Sequence, residues 1–382
     1  MHLLQAQKEN SARVLDPMTT WQDNIFATVP VKTDSASYDV IIGRSFVCKL
    51  DDILQDTIAK QNLKPVDRVF FVSDSNVWEI YADKVVADFS YDFDSYVFPA
   101  GEQSKNPKTL VECLEKMAQS GCTRDSVVIT LGGGVACDLG GFAAATYMRG
   151  IRVLQVPTSL LAMVDASVGG KTAVDLKAGK NLFGAFHQPI GVVIDLNVLS
   201  TLSDDQFKDS VGEIVKHAIL ADPELFEFLS NNKLVKSMIS TDDFAQVVMR
   251  NVEIKRDVVN ADEHEAGIRQ TLNLGHTIGH AIEAASNFSV GHGTCVAAGL
   301  CVLVRACAKT GLTSSDVAEK IISSFNTQDL PTTTEIDKQT LLKFIKNDKK
   351  RHSNSVNFVL VNNIGSCSVK KFTFEEIDEL LS

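Results

Sequence analysis

No uncharged apolar run in the 382-residue sequence reaches the roughly 18 to 20 residues that a membrane helix needs, so no membrane-spanning segment is expected. Positive charge is also short: 37 Lys and Arg stand against 48 Asp and Glu, for a net charge of −11 and an isoelectric point of about 5.2. That balance argues against a nucleic-acid partner, whose phosphates call for a basic face. The eight cysteines form no CxxC pair, and a chain of this length has no need of disulfide staples, so reduced and mostly buried thiols are expected. Residues 1–36 mix Lys8, Arg13 and Lys32 with Glu9, Asp16, Asp23 and Asp34 and hold no continuous apolar stretch. Neither a secretory signal nor a transit peptide is expected there, which leaves a loosely ordered extension and a cytoplasmic location. There is no internal repeat and no low-complexity tract. With 45% apolar and 22% charged residues, the chain has material for a core and a soluble surface, enough for two domains.

Residues 37–202 alternate short β-branched runs with amphipathic stretches. Val69–Ser73 predicts a strand opening into Asp74-Ser75-Asn76, and Thr109–Ser120 has helical spacing and stops at Gly121. Ser126–Leu131 predicts a buried strand running into Gly132-Gly133-Gly134, followed by a helix and the strand Ile151–Val156. Strand, glycine turn and helix in that order predict a parallel sheet. Over residues 203–382 the strand signal fades. Asp204–Leu225, Phe244–Val258, Thr271–Ala285 and Thr294–Ala308 carry helical periodicity, and Ser355–Val361 with its Asn-Asn-Ile-Gly turn predicts a small strand pair.

The glycines of LGGGVACDLGGF sit where a helix N-terminus could approach a phosphate, although the spacing is not G-x-G-x-x-G and tight strand-to-helix turns use glycine for other reasons. Asp74 and Asn76 at the end of the earlier strand suit ribose hydroxyls or simply a turn. Asp165 to Lys171 (DASVGGK), with Lys180 and Asn181 beyond, places local positive charge around flexible backbone in an acidic protein, which suits an anionic substrate. The strongest signal is RQTLNLGHTIGH (269–280) with His292 after it, since three of the eight histidines fall within 17 residues. His276 and His280 share a helix face, so the cluster reads as a metal or acid-base site. Glu213, in GEIVKHAI, is a candidate carboxylate ligand with Lys216 one helical turn away.

These segments resemble the sugar phosphate cyclases, most closely the 3-dehydroquinate synthase family. The resemblance rests on LGGGVACDLGGFAAATYMRG, VPTSLLAMVDASVGGKTAVDLKAGKNLFGAFHQP, GEIVKHAI, LNLGHTIGHAIEA, the GHG at 291–293 and the DKK at 348–350, and spans residue 37 to the C-terminus. It implies a Rossmann-like α/β NAD-binding domain followed by a mainly α-helical metal- and substrate-binding domain, with the site in the cleft between them. It implies Glu213, His276 and His292 as ligands of zinc or cobalt and leaves His280 to acid-base work, in place of the His276–His280 ligand pair that spacing alone suggests. Asp74, Asn76, Glu102, Lys105, Gly133, Gly134, Asp138, Thr158, Ser159 and Lys180 fall where the family contacts NAD. Arg149, Asp165, Lys171, Asn181, Lys216, Lys255, Arg269, Asn273, His280 and Lys349 fall where it handles substrate, and Glu265 where a proton acceptor is sometimes assigned. Lys171, Asn181 and Arg149 are expected to hold phosphate, and Lys255 and Arg269 a carboxylate. The sequence departs from the family pattern at Ser159 (usually Thr), Leu274 (usually Phe) and Thr294 (commonly Glu), the last removing an expected support of His292.

The resemblance implies conversion of 3-deoxy-D-arabino-heptulosonate 7-phosphate to 3-dehydroquinate and phosphate by a homodimer. In that reaction NAD is reduced and reoxidised within one turnover. Rival readings are a cyclase for an amino analogue, for sedoheptulose 7-phosphate or for glucose 6-phosphate. Intact GGK and NLGH segments disfavour the neutral sugars. A metal-dependent alcohol dehydrogenase would accumulate NADH, and a non-catalytic NAD-binding regulator has no use for the clustered His, Glu and Lys.

Overall fold

The computed structural model describes residues 20–347 and 355–382. Its first half is built on β1 (Ile25–Lys32), β2 (Ser37–Gly43), β3 (Val69–Asp74), β4 (Phe93–Phe98), β5 (Val127–Gly132), β6 (Arg152–Pro157), β7 (Lys171–Leu176), β8 (Gly179–Phe186) and β9 (Gly191–Asp195). Seven of these form one sheet in the order β1-β2-β9-β6-β5-β3-β4, while β7 and β8 make a separate antiparallel hairpin. Only the β1–β2 pairing within the large sheet is antiparallel. Strands β5 and β9 are buried at every residue, as in a parallel sheet covered on both faces. The cover comes from α1 (Leu50–Lys60), α2 (Ser75–Val86), α3 (Pro107–Gln119) and α4 (Gly134–Thr146) on the sheet's own side of the chain.

The second half holds α5 (Asp204–Ala221), α6 (Pro223–Asn231), α7 (Asp242–Ala261), α8 (His276–Ala285), α9 (His292–Lys309), α10 (Ser315–Thr327), α11 (Lys338–Asn347) and α12 (Phe374–Leu380), with a hairpin of β10 (Ser355–Asn363) and β11 (Ser366–Thr373). One apolar cluster runs from Val31, Ile42 and Val193 in the sheet through Ile214 of α5 and Val248 of α7 to Phe325 of α10, so the two halves share a continuous core. A second cluster packs α8 and α9 against α11 and the β10–β11 hairpin. Helix α9 has the length and hydropathy of a membrane span, but 67% of that span is buried inside the protein.

The α/β half followed by a helical half is the architecture that the sequence predicts, with three local corrections. Residues 25–32 are not a loose extension: β1 pairs with β2 along its length, buries Val29 and Val31, and is tied to α7 where Lys32 N donates to Asn260 Oδ1 at 2.8 Å. Pro30 is tolerated because β1 is an edge strand. Residues 1–19 lie outside the described residues. The helix expected over Asp204–Leu225 stops at Ala221, because Asp222 caps a new helix by accepting from Leu225 N at 3.0 Å, with Pro223 in its first turn. The helix expected from Thr271 starts only at His276. Gly275 makes the turn at φ 78°, and a Cβ there would sit 2.9 Å from Leu300 Cβ.

Candidate active site

The strand order changes direction between β3 and β5, since β3 continues outward to β4 while β5 continues to β6 on the other side. Ligands of open α/β sheets bind at such a point, outside the carboxyl ends of the strands. Asp74 and Gly132–Gly134 lie there. The Asp74 side chain caps α2 by accepting from Asn76 N (3.0 Å) and Val77 N (3.1 Å), so its turn-forming role is real. Helix α4 has Gly133 as its N-cap and so no side-chain cap, which leaves its amino-terminal N–H groups for an anion. Ser159 stands over the loop, its Oγ 3.4 Å from where a Cβ on Gly133 would be, and Thr158 N donates to Gly132 O at 2.9 Å. Asp138, on α4, pairs with Lys105 at 2.6 Å, and the same Lys105 Nζ donates to Asn181 Oδ1 at 2.5 Å. Lys180 joins Glu102 at 3.3 Å to Glu283 at 2.8 Å. Two polar sets result, Asp138–Lys105–Asn181 and Glu102–Lys180–Glu283, which meet in sequence at Lys180 and Asn181.

The helical half supplies the other side. Helices α5 and α9 touch backbone to backbone: a Cβ on Gly212 would lie 2.1 Å from Gly293 O, so only glycine lets Glu213 and His292 approach. Asp209 fixes this crossing by accepting from Gly293 N and Thr294 N at 3.3 and 2.8 Å. As a result Glu213 Oε1 lies 3.5 Å from Nε2 of both His276 and His292. Ligands on a tetrahedral ion with bonds of about 2.0–2.1 Å stand ~3.4 Å apart, so the spacing suits a zinc-sized cation. The far ring nitrogens are held by oxygens, His276 Nδ1 by Leu274 O at 3.1 Å and His292 Nδ1 by Glu283 Oε2 at 3.3 Å, which turns both Nε2 atoms toward Glu213. Glu213 is fully buried, yet neither of its oxygens has a hydrogen-bond partner of acceptable geometry. Lys216 Nζ stands 2.5 Å from Oε2 but donates to Leu272 O at 2.9 Å. His280 also brings a ring nitrogen within 4.8 Å of those of His276 and His292, so a three-histidine set is geometrically open as well.

Burial disfavours charge on Glu213, but Lys216 and then His276 and His292 outweigh it and hold the carboxyl well below its usual range. Burial pushes His276 well below the ordinary imidazole value. Burial also opposes charge on His292, but Glu213 and Glu283 overcome it and raise this residue to about 10.

Between the two halves lies a cavity of ≈ 730 Å³. Its walls include Asp138, Asp165, Lys171, Asn181, Lys216, Lys255, Glu265, Arg269, Asn273, His276, His280 and His292. Three ties order them. Lys171 at the start of β7 meets Glu265 at 2.6 Å, and Asn273 Nδ2 donates to the other Glu265 oxygen at 2.8 Å. Burial is the largest single influence and raises the Glu265 carboxyl, but Lys171, Asn273 and Arg269 together outweigh it, for a net shift down. Lys255 on α7 meets Asp165 Oδ1 at 2.5 Å, with Asp165 on a single π-helical turn, Ala162–Ala166. Arg269, in the same wall, is fully buried and donates to the carbonyls of Glu263 and Gly169, its Nε lacking a partner.

Not every residue singled out in the sequence reaches this cavity. Arg149 is exposed, in the left-handed region at φ 71°, and is not part of the wall of its own chain. Lys349 lies outside the described residues. The GGK and GKN segments, expected as flexible loops, instead frame the ordered β7–β8 hairpin, which forms one wall of the cavity. Residues not singled out also line it, notably Gln270 and Asn357, joined by a 2.9 Å hydrogen bond from Asn357 Nδ2. The Glu283 contact to His292 was missed too. Its signal was its place three and seven residues beyond His280 and His276, on their face of α8.

Residues 95–209 match the family described as 3-dehydroquinate synthase N-terminal, and residues 210–351 that described as 3-dehydroquinate synthase C-terminal. The chain is 40% identical over 361 residues to a 3-dehydroquinate synthase of Thermoanaerobacter sp., covering 93% of this chain and 99% of the relative. A 3-dehydroquinate synthase of Lactococcus lactis subsp. cremoris is 37% identical over 349 residues, covering 90% and 96%. Among solved structures, a 2-deoxy-scyllo-inosose synthase with carbaglucose-6-phosphate, NAD+ and Co2+ superposes with TM-score 0.82 at 22% identity, covering 93% and 99%. A 2-epi-5-epi-valiolone synthase from Streptomyces hygroscopicus subsp. jinggangensis, with NAD+ and Zn2+, gives TM-score 0.80 at 24% identity, covering 92% and 97%. At that identity the two structures speak for the fold alone.

Proposed function

The chain belongs to the 3-dehydroquinate synthase family, and on that premise we propose that it converts 3-deoxy-D-arabino-heptulosonate 7-phosphate to 3-dehydroquinate and phosphate in the cavity between its halves. The observation that carries the reading is Glu213 Oε1 at 3.5 Å from Nε2 of both His276 and His292, two histidines that line a cavity together with Lys171, Lys216, Lys255, Arg269 and, from the helix after the glycine turn, Asp138. Glu213, His276 and His292 hold a zinc or cobalt ion. Asp74, Asn76, Glu102, Lys105, Gly133, Gly134, Asp138, Thr158, Ser159 and Lys180 hold NAD. When bound, NAD would supply reversible hydride acceptance from a substrate carbon and the divalent ion polarisation of the hydroxyl on that carbon.

The chain's own residues bind and move protons around that chemistry. Lys171 and Asn181 receive the phosphate, and Lys255 with Arg269 sets the field for the carboxylate. Asp165, already tied to Lys255, accepts from a substrate hydroxyl. Glu265 stays ionised between Lys171 and Asn273 and so can take a proton, while His280 serves the reacting oxygen as acid or base and Lys216 balances the Glu213 charge. Arg149, exposed and away from its own cavity, reaches the site of a second copy in a cytoplasmic homodimer, and Lys349 contributes to substrate binding from the segment after α11.

The test is a substrate panel. With NAD and zinc, the heptulosonate phosphate should yield inorganic phosphate and a product lighter by the mass of phosphoric acid. If only glucose 6-phosphate or an amino analogue does so, the substrate assignment is wrong.

A further inference from the structure

Glu283 belongs neither to the cavity wall nor to the residues assigned above, yet it is a nearly buried carboxylate, 7% exposed, whose two oxygens serve different halves of the molecule. Oε2 accepts from His292 Nδ1 at 3.3 Å. Oε1 accepts from Lys180 Nζ at 2.8 Å. Lys180 sits on β8, faces Glu102 at 3.3 Å on its other side, and lies 4.6 Å from the centroid of the Phe288 ring. A buried carboxylate is costly unless both oxygens are satisfied, and here each has a partner of opposite or donating character.

The hydrogen bond to His292 has a consequence for the opposite ring nitrogen. With Nδ1 donating to Glu283, Nε2 of a neutral ring carries its lone pair, and that atom faces Glu213. His276 is oriented by a neutral carbonyl, so His292 is the ligand whose orientation and basicity depend on a charge. The expected support from position 294 is absent, since Thr294 N is held by Asp209 and its side chain has no carboxylate.

We propose that Glu283 is a positioning residue for the metal centre that, through its second oxygen, also fixes Lys180 at the dinucleotide site, so that metal and NAD each tighten the binding of the other. This rests on the assignment of Glu213, His276 and His292 as ligands and of Lys180 as an NAD contact. Coupling of this kind is reciprocal: whatever factor NAD adds to metal affinity, the metal adds to NAD affinity.

The experiment uses the full chain stripped of metal and titrated with cobalt, with and without NAD, followed by visible absorption and chelator competition. Wild type is compared with Glu283→Gln, Lys180→Ala and His292→Ala. Glu283→Gln should weaken cobalt binding about 10- to 100-fold and alter the cobalt spectrum, as loss of a carboxylate behind a ligand histidine does. NAD should tighten cobalt binding to the wild type about fivefold or more, and this gain should vanish in both Glu283→Gln and Lys180→Ala. Wild-type cobalt affinity and spectrum in Glu283→Gln would overturn the proposal. Should that variant not fold, an undiminished NAD effect in Lys180→Ala overturns it independently. Loss of cobalt in His292→Ala but not in Glu283→Gln sinks this inference alone, whereas wild-type binding in His292→Ala removes the ligand assignment and the inference with it.

Discussion

Replacing Glu213 by glutamine is expected to remove bound metal and turnover together, while His280→Ala keeps its metal and loses turnover by about 10²- to 10⁴-fold. The glutamine has the shape of the native side chain, so the change is one of charge. Glu213 is the single anion of the proposed ligand set and the partner of Lys216 at 2.5 Å. Without it, a dication would share a buried site with an uncompensated ammonium, a cost that two neutral imidazoles cannot offset. His280 contributes a ring beside His276, with centroids 5.2 Å apart, whereas His276 and His292 are the histidines that stand 3.5 Å from Glu213 Oε1. Metal analysis and kcat on the same samples separate the two roles. Equal metal loss in His280→Ala and His292→Ala would point instead to the three-histidine arrangement.

A sugar phosphate without a carboxylate, such as sedoheptulose 7-phosphate, is expected to react with kcat/KM lower by at least about a hundredfold than the heptulosonate phosphate. Of the four cationic side chains in the cavity wall, Lys171, Lys255 and Lys216 are paired with Glu265, Asp165 and Glu213, Arg269 donates to two backbone carbonyls, and a bound divalent ion would add two further positive charges. One phosphate leaves part of this field uncompensated. A charge-assisted hydrogen bond contributes about 1.5–3 kcal/mol, so two lost contacts account for the factor. The geometry shifts weight within the pair expected to meet the carboxylate. Arg269 has no exposed surface and gives an N–H of each terminal nitrogen to the carbonyls of Glu263 and Gly169, whereas Lys255 keeps some exposure and has a third N–H beyond its two bonds to Asp165. Lys255→Ala should therefore narrow the discrimination more than Arg269→Ala does, chiefly by harming the carboxylate substrate. Comparable kcat/KM for both sugars with the wild type would contradict this reading.

What could be read from the sequence was what local pattern encodes. A buried, β-branched run ending in glycine specified β5 and the turn into α4, and three- and four-residue spacing specified α7 and α9, because burial on one or both faces is written into consecutive residues. What escaped reading depends on partners far along the chain. Strand β1 carries Pro30 and gains its order from β2 and from Asn260 on α7. The β7–β8 hairpin is masked by Gly170, Gly179 and Gly184, which resemble loop residues until the paired strand is in place. At the site, histidine clustering was legible, but the convergence of Glu213 on it depends on the Gly212–Gly293 contact, 81 positions apart in sequence, and the role of Glu283 on a lysine from the other half.

The most direct test of the account is the fate of the hydride. The zinc-loaded protein is given excess 3-deoxy-D-arabino-heptulosonate 7-phosphate and NAD at a small fraction of the substrate concentration, and phosphate release and absorbance from NADH are followed together. Phosphate rising far beyond the NAD added, with no steady growth of NADH, is the predicted result. NADH forming in proportion to substrate consumed, with phosphate retained, would identify a dehydrogenase and contradict the account.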